Sequence, residues 1–480
     1  MNTTKIDNHT YIIVLATIAA IAGFLFGFDT GIISGALQFI SKTFHIITTS
    51  NRYLLHTPQY SVLGLFNVSG TTIQEFIVSA VPTGALIGAI ISGKAASFFG
   101  RRGGIIATAI IFFIGTAIAA SAPNINTLLC GRLLMGFAVG LSAMVAPLYL
   151  SEVAPPTIRG AVVFLYQMAI TMGLLGAFII NYLFASYGDW RAMFAVGLIP
   201  SLLLAVGMMF LPQSPRWLLL KGRKIQAEEN LRKLRGNNNI SDEISNILES
   251  VARSNGNISL LLSKKIRPLI IITFGLFVFQ QLTGINTIFY YAPTLFKAAG
   301  FASASTQILA SVSTGAINVI ATLFGIWFVD SLGRKKLLYI GLGGIVLCQL
   351  TMAAAYHHLL GYDFRWITLC SALMLIAFFA ISISGIAYII MSELFPLNVR
   401  NLGMAVASCA NWGFNMLVSA SFLTITSTFG FGNAYLLYAV STFIGLCFVI
   451  FLVPETKNVS LEQIENNLYK GMKSRNLGHH

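Results

Sequence analysis

Twelve apolar runs constrain what this chain can fold into. Their approximate limits are 11–40, 76–98, 104–121, 126–149, 160–186 and 191–211, then 267–300, 306–330, 335–356, 366–391, 401–427 and 433–453. Each is long enough to cross the ~30 Å hydrocarbon core of a bilayer as a helix. Composition agrees: 56% of the 480 residues are hydrophobic and only 10% charged, against roughly 25% charged in soluble domains. The expected fold is an all-α membrane protein with twelve transmembrane helices.

A net charge of +14 invites a nucleic-acid partner, but its distribution excludes one. Of the 30 lysines and arginines, 24 fall on one side of the spans, five on the other (Lys42, Arg52, Arg191, Lys297, Arg365), and Arg132 within them. That asymmetry marks the basic side as cytoplasmic, with some attraction to anionic lipid heads. An even number of spans then places both termini in the cytoplasm, and the protein in the plasma or inner membrane. The five cysteines lie in apolar runs without metal or disulfide spacing and read as small core residues. The first run is too long and too polar-flanked for a signal peptide. The closing His479 and His480 carry no argument.

Internal repetition divides the chain. "FFGRRG" (Phe98 to Gly103) returns as "SLGRKK" (Ser331 to Lys336), 233 residues on. "SEVAPPTIRG" from Ser151 returns as "SELFPLNVRNLG" from Ser392, 241 residues on, and "PQSPR" from Pro212 as "PETK" from Pro454, 242 residues on. Two duplicated six-span halves are a transporter architecture, with substrate held between them near the midplane. The expected units are a first six-helix bundle (1–213), a cytoplasmic helical linker (214–265), a second six-helix bundle (266–456) and a cytoplasmic tail (457–480). In the linker, Ser241 reads as an N-cap with Asp242 and Glu243 in the first turn; Ile244, Ile247, Leu248 and Val251 follow as one apolar face. An outer loop over 41–75 shows no legible chemistry.

Two charges stand inside the spans. Asp29 lies 18 residues beyond Tyr11, about 27 Å along a helix. Arg132 lies 20 residues before Glu152, about 30 Å, so both reach one depth. A charge at the bilayer centre costs at least ~2.5–3.5 kcal/mol and normally has a partner and a function. An acid facing an arginine suggests an ion or proton relay; the alternative is a snorkelling acid and an arginine that only ties helices together.

These motifs carry a resemblance. "GRR" after span two, "RG" closing the fourth loop, "PQSPRWL" after span six, "QQLTGIN" in span seven, "DSLGRKK" after span eight and "PETK" after span twelve stand in the order of the sugar porter family of the major facilitator superfamily, which the chain resembles nearly end to end. Four positions depart from the family pattern: Gln213 for Glu, Ser97 for Asp, Tyr388 for Trp and Ile386 for Pro. The resemblance implies two pseudo-symmetric six-helix bundles and a sugar site on Gln167, Gln280, Gln281, Asn286, Asn318, Asn411 and Trp412, ringed by Phe26, Tyr290 and Tyr388. Tyr290 serves either there or as a gate beside the Tyr291-Ala292-Pro293 kink.

The residues fit that chemistry. Sugar hydroxyls both donate and accept, as amides do, and aromatic rings cover apolar C–H faces. Gln280, Asn318 and Asn411 each lie 11 or 12 residues into their spans and Gln167 eight, about 12–18 Å deep. The alternative is interhelical glue at ~0.6 kcal/mol per bond. Gly284 and Asn286 after the glutamine pair mark a weak point in the helix, a common device at transport sites. At the cytoplasmic ends Arg101, Arg102, Glu152, Arg159, Arg216, Arg334, Glu393 and Arg400 cluster. The seven-residue Glu-to-Arg spacing recurs (152/159 and 393/400), which suggests a charge lock between the halves when the cavity opens outward. The alternative is a solvated face worth ~0–1 kcal/mol per pair.

No Walker A loop and no metal-ligand spacing is present, so the chain is read as neither an ATPase nor a metalloenzyme. The reading is a monosaccharide importer working by alternating access, functional as a monomer without a cofactor. Protons drive it, because family members with an acid in "FGFD" tend to be symporters. The rivals are a uniporter of the same fold, a sugar sensor and a drug exporter. Sensors usually carry long cytoplasmic tails, whereas 27 residues follow Val453 here.

Overall fold

The computed structural model describes residues 8–48, 59–62, 64, 66–155, 157–236, 240–252, 258–261, 263–359, 363–396, 399–457, 459, 463–464, 467–468, 470, 472 and 474–477. His479, His480 and Arg52 lie outside them.

The first six spans are Asn8–Thr43, Gly70–Phe98, Gly100–Ala120, Ile125–Val153, Arg159–Phe184 and the pair Trp190–Ala195 and Leu198–Met209. The seventh is Arg267–Leu282 followed by Ile285–Ala298, and the eighth and ninth are Ala304–Leu332 and Arg334–Tyr356. The tenth is Phe364–Ile381 followed by Ile383–Leu394. The last helix, Arg400–Leu452, is interrupted at Gly430 (φ 82°, ψ 160°) and so supplies spans eleven and twelve, 400–429 and 431–452. Twelve spans result, as the apolar runs predict.

The halves repeat their packing. Span one lies on span five, and span four on spans two and three; in the second half, span nine packs on span ten and on the last helix. Between the halves, span two meets the last helix, span five meets span eight, and span one meets the second helix of span seven. Lipid gives no hydrophobic drive between helices, so close backbone approach has to supply it. Spans two and four do this with paired glycines. A Cβ on Gly84 or Gly88 would stand 2.2 Å from a carbonyl oxygen of span four, and one on Gly136 or Gly140 as close to span two.

Several boundaries differ from expectation. Span two begins at Gly70, not 76, because the Ser69 hydroxyl accepts the Thr72 N–H at 3.3 Å and starts the helix early. The end of the expected outer loop is therefore helical. Upstream, Tyr60–Val62 pairs antiparallel with Phe66–Val68. The Tyr60 hydroxyl donates to His45 O and accepts from Ile47 N–H.

The linker forms Pro215–Leu220, Lys224–Arg235, Ser241–Ala252 and Ile258–Leu261. Ile244 is buried and Ile247 packs on the cluster of Trp217, Leu218, Leu219, Ala227 and Leu231. Leu248 departs from the expected apolar face and is exposed, and the side chain of Val251 lies outside the described residues. Arg235 holds the linker to span four: it donates to Val153 O (2.7 Å) and Ala154 O (3.3 Å) and pairs with Glu243 at 2.8 Å.

Candidate functional site

The midplane charges meet. Arg132 Nη1 stands 3.5 Å from Asp29 Oδ1, with both side chains essentially inaccessible. Arg132 Nε donates to Ile77 O of span two at 2.6 Å, and its guanidinium lies 5.8 Å from the Phe194 ring. The ion pair is long, since charge-assisted bonds between nitrogen and oxygen close to about 2.7–2.9 Å. Asp29 Oδ2 and Arg132 Nη2 have no partner among the described residues. A buried pair with one unused atom on each side is held by helix packing more than by its own bonds.

One turn before Asp29, the Phe26 ring packs on Trp412 of span eleven, centroids 5.2 Å apart. Trp412 is buried and follows Asn411. Asn411 Oδ1 accepts from Gln281 Nε2 at 2.6 Å, and Gln281 Oε1 accepts from Asn286 Nδ2 at 2.5 Å. Three predicted amides thus form one chain across spans seven and eleven, with a donor left at the Asn411 end and an acceptor at the Asn286 end. The chain bridges the break in span seven, where Gly284 adopts φ 69°; only glycine takes that backbone without strain. The second expected kink is also present: Tyr291, in a helix containing Pro293, has φ −121° and ψ 21°.

Gln280 is engaged differently. Its two N–H groups go to Ile383 O (3.0 Å) and Ser384 O (3.2 Å), just past the break in span ten at Ser382. It staples spans seven and ten, and its Oε1 makes no hydrogen bond among the described residues. Gln167 and Asn318 make no side-chain hydrogen bond among the described residues. They stand on spans five and eight, which pack on each other, but the structure does not join them to the amide chain. Tyr290 is buried beside Thr30 and Asn415, within electrostatic reach of Asp29 and Arg132. Tyr388 packs edge-on against Phe277 at 4.8 Å, is 46% exposed, and lies within electrostatic reach of Tyr166 on span five of the other half.

The charges at the basic face pair within each half. Arg101 bonds Glu152 at 2.8–2.9 Å, and Glu152 also accepts from the Ser214 hydroxyl. Arg334 pairs with Glu393 at 3.0 Å, and Arg400 donates to Phe395 O. Arg159 is exposed, and neither it nor Arg216 joins an ion pair among the described residues. The ion pairs seen among the described residues therefore do not carry the expected contact between the halves. The side-chain contacts described between halves, such as Phe26 on Trp412 and Phe178 beside Gly315, lie at the midplane or toward the opposite face. The duplication extends to helix caps. Gln213 Oε1 accepts Arg102 N–H, while Glu455 accepts the N–H groups of Arg334 and Lys335. The neutral Gln213 fills the same cap as its charged counterpart.

Two residues escaped the sequence reading. Asn415 stands one turn after Asn411 on the same face, and that spacing was the signal. Glu75 was hidden by the misplaced start of span two.

The chain matches the profile of the sugar (and other) transporter family over residues 15–468. It is 38% identical over 469 residues to the galactose-proton symporter of Escherichia coli (strain K12), covering 96% of each chain. With the arabinose-proton symporter of the same organism it shares 36% over 471 residues, covering 96% of this chain and 94% of the relative. Its structure superposes on a partially occluded, inward-open conformation of the xylose transporter XylE from E. coli with a TM-score of 0.79 at 29% identity, covering 93% and 99%. With its twelve spans and duplicated halves, the chain belongs to the sugar (and other) transporter family, within the major facilitator fold.

Proposed function

We propose that the protein imports a monosaccharide by proton symport, with two six-span halves (1–213 and 266–456) rocking about a midplane site. The linker 214–265 and the tail 457–480 lie on the basic face. The observation that carries the reading is the Phe26–Trp412 contact. It joins the helix turn bearing Asp29 to the turn bearing Asn411, so a movement at the charge pair reaches the amide chain directly. Two E. coli relatives that cover nearly the whole chain are proton symporters of galactose and arabinose.

The amides and Trp412 hold the sugar, Asp29 carries the proton and Arg132 is its counter-ion; no cofactor takes part. The basic face is cytoplasmic, both termini lie there, the protein sits in the cell membrane among its lipids, and the monomer is the working unit. The deciding experiment is uptake of labelled galactose, arabinose, xylose and glucose into proteoliposomes, with and without an inward proton gradient. Accumulation of at least one sugar that collapses with the gradient is expected. Uptake that only equilibrates supports a uniporter instead, and no uptake of any sugar overturns the substrate class.

Two smaller predictions arise here. Tyrosine covers less sugar C–H surface than tryptophan and brings a hydroxyl that needs a partner. Tyr388→Trp is therefore expected to reorder the preference among hexoses and pentoses while transport continues; an unchanged order places Tyr388 outside the site. Glu393→Gln removes the carboxylate that meets Arg334 within the second half, and with it a charge that a lock between the halves would use when the basic face closes. It is expected to favour the state open to the basic face, read as faster labelling of a cysteine placed on that side of the cavity. An unchanged rate makes the cluster a solvated face.

A further inference from the structure

A second buried carboxylate has no place in the scheme above. Glu75 lies five residues inside span two and is 2% exposed. No cation pairs with it among the described residues. Its Oε1 accepts the backbone N–H of Thr424 at 2.6 Å and its Oε2 meets the Thr424 hydroxyl at 2.7 Å. Buried charges are ordinarily paired or fully hydrogen-bonded; this one is satisfied from the opposite half of the molecule. Thr424 lies in span eleven, six residues before the break at Gly430, so both partners sit one to two turns inside the face away from the basic loops.

The contact is unusual for the helix that receives it. An N–H in mid-helix belongs to the carbonyl four residues back, and a side chain inserted into that ladder is a known cause of bending. Five residues earlier on the same helix, Ser419 O accepts from the Tyr291 hydroxyl at 2.7 Å. The stretch 419–424 is thus gripped twice, by Tyr291 at the kink of span seven and by Glu75 from the other half. Tyr291 and Tyr438 both lie within electrostatic reach of the Glu75 carboxylate.

We propose that Glu75 is a positioning residue of the transport cycle, latching span two to span eleven so that the non-basic face stays closed until its bonds to Thr424 break. The inference rests on the alternating-access reading, but its test needs neither sugar nor gradient. When the halves part at that face, water replaces Thr424 at the carboxylate, so release does not strand the charge in a dry interface. The latch therefore holds the closed state without preventing opening.

The test is the distance between spin labels at Thr71→Cys and Ser427→Cys, at the non-basic ends of spans two and eleven, in purified protein whose native cysteines are replaced by serine. In the parent the short distance dominates. Glu75→Ala is expected to raise the ratio of long to short distances by about 10- to 150-fold, the factor that loss of one buried charged hydrogen bond carries into a two-state equilibrium. Thr424→Val keeps the N–H bond and shifts less. Glu75→Gln retains an acceptor for the N–H and falls between parent and Ala. The double variant Glu75→Ala/Thr424→Val is expected to match Glu75→Ala alone, since both changes remove one interaction. A folded Glu75→Ala protein, with the parent's thermal unfolding, that keeps the parent's distance distribution overturns the proposal. So do additive effects in the double variant.

Discussion

Asp29→Asn is expected to bind sugar and exchange it across the membrane, yet fail to concentrate it against a gradient. Asp29 is buried at 3.5 Å from Arg132, with Oδ2 unpartnered among the described residues. Burial opposes the ionised carboxylate and the guanidinium supports it, so the balance turns on their separation. The pair is already longer than a closed charge-assisted bond, and Arg132 is held independently by Ile77 O and beside Phe194. A small displacement of span one therefore moves Asp29 without carrying Arg132 along. That displacement is transmitted: Phe26, one turn away, rides on Trp412. On the proposed reading, sugar binding at the amide chain and proton binding at Asp29 bias the same movement, which is what coupling requires.

Asparagine keeps the shape and the hydrogen-bonding capacity but fixes the side chain as neutral, like the protonated acid. Both halves of the cycle that carry sugar remain open, while the step that returns the carrier with a proton released is lost. Counterflow without a pH gradient should stay within a few-fold of the parent, and gradient-driven accumulation should be lost. Proteoliposomes measured under both regimes separate the two. A mutant that still concentrates sugar removes Asp29 from the coupling.

The spans and the two breaks of span seven were legible in the sequence because they follow from local chemistry. Apolar length fixes a span, Gly284 and Pro293 fix the two irregularities of span seven, and the duplicated motifs fix the halves. The Asp29–Arg132 pair was legible by depth alone. What escaped was set by contacts across long separations. The break in span ten falls at Ser382, which carries neither glycine nor proline to announce it, so the staple from Gln280 to Ile383 and Ser384 had no visible target. A six-residue error at the start of span two placed Glu75 in a loop and concealed its bonds to Thr424. The Glu-to-Arg spacing at the basic face picked out Glu152 and Glu393 but not the Arg101 and Arg334 that they meet. Arg101 with Glu152 and Arg334 with Glu393 close within their own halves, because which face of a rocking protein is shut is a property of the conformation.

The glutamine pair tests how far the amides belong to the sugar and how far to the helices. Gln281 is bonded at both ends, to Asn286 and Asn411, so Gln281→Ala removes the link that orients two further amides. A sugar hydroxyl bound at either end then loses its partner or meets one that turns freely. Leaving buried polar groups unpaired costs about 1–3 kcal/mol, which corresponds to roughly 5- to 150-fold in affinity. The double variant Gln281→Ala/Asn411→Ala is expected to be little worse than the single, because the two residues act through one chain. Gln280 offers the contrast. Both its N–H groups are spent on span ten, so it gives the sugar one acceptor at most, and Gln280→Ala should weaken binding by only about 2- to 10-fold, the range of a single net hydrogen bond. Its larger effect falls on thermal unfolding, since span ten loses its tie to span seven at the Ser382 break. Calorimetric titration of each purified variant, beside its unfolding temperature, reads both quantities. Additive affinity losses in the double variant would show that Gln281 and Asn411 contact sugar separately, and equal affinities in Gln280→Ala and Gln281→Ala would remove the distinction between staple and chain.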